Sequence, residues 1–304
     1  MLIKHLKNSE IDIALWDECI SKSFNGLVYA YSFYLDVVCP NWEALVFEDY
    51  KAVMPLTGNK KYGINYLFTP IFIQQLGIFS TIKTDVDLIF KFIKNIPKKY
   101  KFIEINLNSH NKLPDDFPGK KLNNNYELDL IEEYQKIKKR FSENTLRNIK
   151  KAENFGVIVS DNVDLKSIIN LFRNDRGKDV ENLKDEHYFV FEKLYGKLER
   201  RGLTIKLGAY NEVGNLIAGA AVFYSNNKIT FIFSGNSAEG KKKSAMFLIV
   251  STIIESFSGK NMILDFEGSN NGGLAKFYKS FGSINCQYPS IQLNKLPLPI
   301  RWVK

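Results

Sequence analysis

Histidine and cysteine are scarce in this chain of 304 residues, with three of each. Cys19, Cys39 and Cys286 are odd in number and widely separated. That excludes a disulfide framework or a clustered thiolate metal site and suits a reducing compartment. His5, His110 and His187 are equally scattered, so no histidine-rich metal centre is expected. No apolar run reaches the roughly 18 residues that a membrane-spanning helix needs. The longest, Met246 to Ile254, is interrupted by Ser251 and Thr252. Met1-Leu2-Ile3-Lys4-His5 lacks the apolar core and small-residue cleavage site of a secretory signal. The expectations are therefore no transmembrane segment, no bound metal and a cytoplasmic location.

What is present points to a globular protein. Hydrophobic residues make up 45% of the chain, far above a disordered segment, and the length allows two domains. The net charge of +9 invites a polyanionic partner: nucleic acid, a nucleotide or phosphate, or an anionic membrane surface. A solvated surface rich in Lys and Asn would account for the same excess, so the placement of the charge matters more than its sum.

Periodicity predicts helices over 14–23 and 30–38, then extended segments over 43–47, 50–56 and 66–79 with a break at Pro70. Helix 85–95 follows, then strand 102–107. Residues 108–125, with Pro114, Pro118, Gly119 and an Asn run, read as a linker. Strand 126–130 and a long helix over 132–154 open the second half. Strand 157–160, helices 164–173 and 186–201, and strands 204–210, 216–224 and 228–233 come next. Helix 244–257, strand 262–266, helix 273–280 and strand 284–293 close it. The first half repeats much of this order at an offset of about 160 residues, as a degenerate tandem duplication would.

Three constellations in the second half suggest chemistry. The segment from Ser234-Gly235 to Gly240-Lys241-Lys242-Lys243-Ser244 links a strand to helix 244–257. Free N–H groups at a helix start attract anions, and a helix start does not favour lysines on its own account. A phosphate-bearing ligand and a flexible solvated turn both fit that pattern. Asp265 and Glu267 leave the next strand on one face, where a carboxylate can take a proton from an attacking ammonium. Tyr278 could protonate a leaving group, although helix capping, lysine pairing and aromatic packing account for these residues equally well. In 136–154, seven basic residues face two acids, and a continuous helix puts Lys136, Arg140, Arg147 and Lys151 on one side. A solvated face or a phosphate-binding face would both look like this.

The second half resembles a GNAT-superfamily acyltransferase domain, with Asn271, Leu274, Tyr278 and Gly282 at the spacing of that family's Asn-x-x-Ala-x-x-x-Tyr…Gly pattern. A wider resemblance is to the FemAB-like proteins, tandem GNAT folds. It rests on Arg147-Asn148-Ile149-Lys150-Lys151-Ala152 with Gly156-Val157, on Asp265-Phe266-Glu267-Gly268, and on Lys276-Phe277-Tyr278-Lys279-Ser280-Phe281-Gly282. The resemblance implies an α/β (α+β) chain of two GNAT-like domains, each a mixed, mostly antiparallel sheet flanked by helices. Residues 1–125 would form a degenerate acceptor-side domain and 126–304 the donor-side acyltransferase domain. It also implies an N-acyltransferase with acyl-CoA or aminoacyl-tRNA as donor substrate, no permanently bound cofactor, and an amine acceptor, a small molecule or an envelope precursor. Asp265, Glu267 and Tyr278 would be catalytic. Ser234, Gly235, Gly240, Lys241, Lys242, Lys243, Ser244 and Asn271 would bind the donor. Tyr29, Tyr31, Trp42, Lys60, Lys61, Gln74 and Gln75 would wall the acceptor site, and Lys136, Arg140, Arg147 and Lys151 would meet a polyanion such as tRNA. The alternative is a non-catalytic GNAT-fold protein that binds RNA or a nucleotide.

Overall fold

Side-chain caps mark where most helices begin in the structure, a computed structural model that describes residues 2–179, 183–268 and 270–297. The chain forms two units, residues up to Asn124 together with those from Cys286 on, and Asn125–Asn285.

The first unit holds β1 (Ile3–Leu6), α1 (Ile13–Lys22), α2 (Ser32–Val38), β2 (Glu43–Phe47), β3 (Ala52–Leu56), β4 (Gly58–Lys61), β5 (Ile64–Phe68), β6 (Phe79–Ser80), α3 (Val86–Lys94), β7 (Tyr100–Asn106) and β8 (Lys120–Asn123). Asp12 and Asp85 cap α1 and α3 by accepting first-turn N–H groups, an arrangement worth about 1 kcal/mol each. Leu88, Ile89, Phe92 and Ile93 of α3 pack into a core with Leu45, Met54 and Ile103. One sheet was expected here; there are two, ordered β1-β2-β3-β6 and β4-β5-β7-β16-β8, the second including β16 (Tyr288–Asn294) from the end of the chain. The run 66–79 is broken by Pro70 and by left-handed backbone at Phe72 and Gly77, so its two ends join different sheets. The presumed linker 108–125 contains β8.

The second unit holds β9 (Tyr126–Asp129), α4 (Tyr134–Lys138), α5 (Glu143–Asn154), β10 (Ile158–Ser160), α6 (Leu165–Asn174), α7 (Asp185–Glu199), β11 (Thr204–Tyr210), β12 (Leu216–Ser225), β13 (Lys228–Asn236), α8 (Ala238–Lys242), α9 (Ala245–Phe257), β14 (Ile263–Asp265), α10 (Gly272–Lys279) and β15 (Ile284–Asn285). Its sheet runs β10-β11-β12-β13-β14-β9-β15, and β13 with β14 is its parallel pair. The apolar face of α9 (Ala245, Ile249, Val250, Ile253, Ile254) packs into a core shared with Ile149 and Ala152 of α5. Both units contain a helix preceding a strand that pairs in parallel: α3 before β7, which pairs β5, and α9 before β14, which pairs β13.

Two sequence expectations need correction. The long helix over 132–154 is two helices, because Ser142 turns the chain and caps α5 through Thr145 N. The strand over 284–293 is also two. β15 pairs β9, whereas β16 (Tyr288–Asn294) pairs β7 and β8 of the first unit. The chain thus divides between Asn124 and Asn125 and again between Asn285 and Cys286, whereas the sequence reading kept 126–304 together.

Candidate active site

The sheet of the second unit opens at one place. β13 and β14 are paired through Lys228↔Ile263, Ile229↔Leu264 and Thr230↔Asp265, and the pairing stops there. β13 continues to Asn236 on its β12 side alone, so among the described residues the edge from residue 231 onward has no strand partner on the other side. The β12–β13 register shifts between Ala221 and Phe223, bending β13 at the same level. Peptide groups along such an edge are unspent hydrogen-bonding capacity.

A buried charge cluster fixes the point of parting. Lys228 Nζ lies 2.7 Å from Glu127 Oε1 and 3.3 Å from Asp265 Oδ2, tying β13, β14 and β9 together. Burial works against the Lys228 charge, but the two carboxylates overcome it and raise its pKa. Burial likewise raises the pKa of Asp265, with the Lys228 ammonium opposing and Glu127 adding. Asp265 Oδ1 accepts the Glu267 N–H at 2.8 Å. At 2% exposure Asp265 is closed off from an incoming amine, and the expectation that it shares one strand face with Glu267 fails, because β14 ends at Asp265. The strand ends at Asp265, and Glu267 sits in left-handed backbone (φ 60°), a conformation that costs a non-glycine residue roughly 1–2 kcal/mol. The glutamate is half-buried and stands just beyond the parting.

Tyr278, from α10, completes this corner. Its ring stacks on Phe266 (centroids 4.9 Å apart, planes 20° apart), and Phe266 in turn lies 6.4 Å from the Phe231 ring. The tyrosine hydroxyl has no hydrogen-bond partner among the described residues. Burial raises its pKa to about 12, the Glu267 carboxylate adds to the shift and Arg176 opposes it. At neutral pH the group is a phenol that can donate a proton.

The lysine-rich turn is more fully spent than its composition suggests. Ser237 caps α8 through Gly240 N. Lys241 Nζ pairs with Asp175 at 2.6 Å, and Lys243, 8% exposed, is held between Glu212 and Glu239. Lys242 is exposed and carries no ion pair among the described residues. The two glycines serve packing: a Cβ on Gly235 would lie 2.6 Å from Ile168 O and Phe172 N, and one on Gly240 would lie 2.3 Å from Ile217 O. Ser234 is half-buried on the free edge of β13. Asn271 caps α10 by accepting from Gly273 N and Leu274 N. The start of α9 is different. No side chain caps it, Ser244 enters it at φ 59°, and Ser244 Oγ donates instead to Asn148 Oδ1 of α5 at 2.6 Å.

The basic face is also rearranged. With the helix broken, Lys136 belongs to α4, and Arg140 pairs with Glu132 at 3.0 Å. Arg147 and Lys151 remain together on α5, where with Lys150, Asn154 and Phe155 they line a groove of about 400 Å³. In the first unit, Tyr29, Trp42 and Gln75 are core residues rather than a wall. Tyr29 is 2% exposed, Trp42 packs on Trp16 and donates to Asp36, and Gln75 accepts from Ser109 N. Lys60 and Lys61 are exposed on β4, Gln74 is half-buried, and Tyr31 stacks on Phe33. Sequence reasoning missed Lys228, Glu127 and Phe155. The first two sit at the ends of apolar strands, and only the sheet order makes them neighbours.

No protein-family model and no curated protein matches the chain. Solved structures do. FemX superposes with a TM-score of 0.67 over 98% of each chain at 13% identity. The chain has a FemX-like fold. The C-terminal domain of a lysylphosphatidylglycerol synthetase from Agrobacterium fabrum shares that fold at a TM-score of 0.54 (11% identity, 95% of this chain, 93% of the other). A conserved protein from Bacteroides thetaiotaomicron gives 0.58 at 11% identity, over 95% of this chain and 98% of the other. The FemX-like, two-domain α/β architecture is the one the sequence resemblance implied, and the parting of β13 from β14 lies in the domain where the donor was expected.

Proposed function

We propose that the chain is an acyltransferase of cell-envelope biosynthesis, moving an acyl or aminoacyl group from acyl-CoA or aminoacyl-tRNA onto an amine. The observation that carries this reading is the parted β13–β14 edge with the unbonded Tyr278 hydroxyl beside it. The name of the lysylphosphatidylglycerol synthetase, a lysyl group on a membrane phospholipid, supports an aminoacyl group and an envelope acceptor.

The donor's reacting carbonyl lies against the free edge of β13, where peptide N–H groups stabilise the oxyanion of the tetrahedral intermediate. The acceptor nitrogen forms its bond to the carbonyl carbon and loses a proton to Glu267, directly or through water. The carbon–sulfur or carbon–oxygen bond then breaks, and Tyr278 gives its proton to the leaving thiolate or alkoxide. Asp265 acts through Glu267, by holding its peptide N–H. The uncapped start of α9 supplies amides for the donor's phosphates.

Titration of acetyl-CoA and of aminoacyl-tRNA against a thermal melt, followed by transfer assays with amine acceptors, tests this. A ligand at 100 times its Kd stabilises the fold by about 2.7 kcal/mol, a shift of several degrees. A shift with one donor, with transfer abolished in Tyr278→Phe, supports the reading. No shift with either donor and no transfer would overturn it.

A further inference from the structure

The groove on α5 gathers three cations that form no ion pair among the described residues. Elsewhere in the second unit Arg140, Arg173, Lys206, Lys228, Lys241 and Lys243 all pair with carboxylates. Arg147, Lys150 and Lys151 are exposed and have no acidic partner among the described residues. Two of the three lie in the last turns of α5, whose C-terminal partial charge amounts to roughly half an electron. That offsets only a small part of their positive charge. Glu143 and Glu153 share the helix yet form no ion pair with the three cations, which line an open groove of about 400 Å³.

Phe155 gives the groove a second character. It follows α5 as the C-cap, and Gly156 turns into left-handed backbone (φ 64°) so that Val157 N can reach back to Ala152 O. The turn buries Val157 and leaves Phe155 40% exposed at the groove wall. Lys243 Nζ sits 5.7 Å from the ring centroid, and Asn148, one residue from Arg147, accepts from Ser244. The groove is thus joined to the start of α9.

We propose that this groove binds the nucleotide end of the acyl donor, its phosphates on Arg147, Lys150 and Lys151 and its base ring on Phe155. Phosphates need the convergent cations, a flat base needs an aromatic face, and the Asn154 amide can both donate to and accept from a base edge. Adenosine bearing phosphates is the shared chemistry, and it has two sources: the adenosine 3′,5′-diphosphate end of CoA, or the 3′-terminal adenosine of tRNA. This inference rests on the transferase reading.

The test is direct binding by calorimetry, with adenosine 3′,5′-diphosphate, a CCA trinucleotide and inorganic pyrophosphate as probes. One adenosine probe is expected to bind. Arg147→Gln with Lys151→Gln should weaken it at least tenfold. Phe155→Ala should weaken it at least threefold while leaving pyrophosphate unchanged. All three side chains are exposed, so thermal melts without ligand should match the parent. Binding of neither adenosine probe at millimolar concentration overturns the proposal, as does binding indifferent to all three substitutions. Nucleotide binding here without any transfer would sink the catalytic reading and leave the groove standing. Transfer that proceeds normally in the double variant would sink the groove alone.

Discussion

Replacing Lys228 by methionine keeps most of the stem and removes the charge that two carboxylates share. Side-chain exposure is 16% for Lys228, 13% for Glu127 and 3% for Asp265, so water cannot step in. At an effective dielectric near 20, each N–O pair at the observed distances contributes at most about 5–6 kcal/mol of attraction, most of it offset by desolvation. Breaking one partner of such a cluster costs about 3–5 kcal/mol, because the carboxylates are left buried and unpaired. For a unit of this size that is a Tm drop of roughly 6–20 °C. Urea unfolding followed by far-UV circular dichroism reads it directly. The sign of the pH dependence is fixed as well. Without Lys228, the folded-state pKa of Asp265 rises further above its unfolded value. The folded variant then binds more protons than the unfolded chain, and its stability falls as pH rises. Acidification from pH 7 toward 5 should therefore recover stability in the variant. Adding Asp265→Asn and Glu127→Gln should restore at least half of the loss. A Lys228→Met variant within 1 kcal/mol of the parent, or one that acidification weakens further, would refute the reasoning.

Other consequences follow from the same geometry. Tyr278→Phe should lower transfer by about 10²–10⁴-fold with little change in Tm, measured by single-turnover kinetics. Because its pKa is near 12, the tyrosine sets no alkaline limb below about pH 11, which a pH–rate profile checks. Glu267→Gly should raise stability by about 1 kcal/mol, since glycine accepts φ 60° freely, while transfer is lost. A gain in stability with transfer intact would remove Glu267 from the chemistry. Gly235→Ala should destabilise by about 1–3 kcal/mol through its clash with the α6 backbone, read by thermal melt whether or not donor is present.

Much of the fold was legible in the sequence because the signals were local. The apolar spacing of Val86, Ile89, Phe90 and Ile93 and the apolar face of α9 gave both central helices within a residue or two, although the face α3 buries is Leu88, Ile89, Phe92 and Ile93. What escaped was set by contacts distant along the chain or by single turns. Ser142 was the break in the basic helix, a cap signal outweighed by the apparent continuity of the charge pattern. The end of the chain crossed back to the first unit between β15 and β16, which no local pattern records. At the candidate site, Tyr278 and Glu267 were singled out from composition and position. The burial of Asp265 depended on Lys228 and Glu127 arriving from two other strands. The glycines of the lysine turn looked like openings for an anion and are packing contacts.

The central claim is that a donor's carbonyl sits on the free edge of β13. Hydrogen exchange on the chain with a non-transferable donor analogue, a CoA thioether or an amide-linked aminoacyl-adenosine, measures this residue by residue. The account predicts slowed exchange for amides within 231–236, with those of β11 unchanged. An analogue that binds and leaves the β13 edge exchanging at its free rate would contradict it.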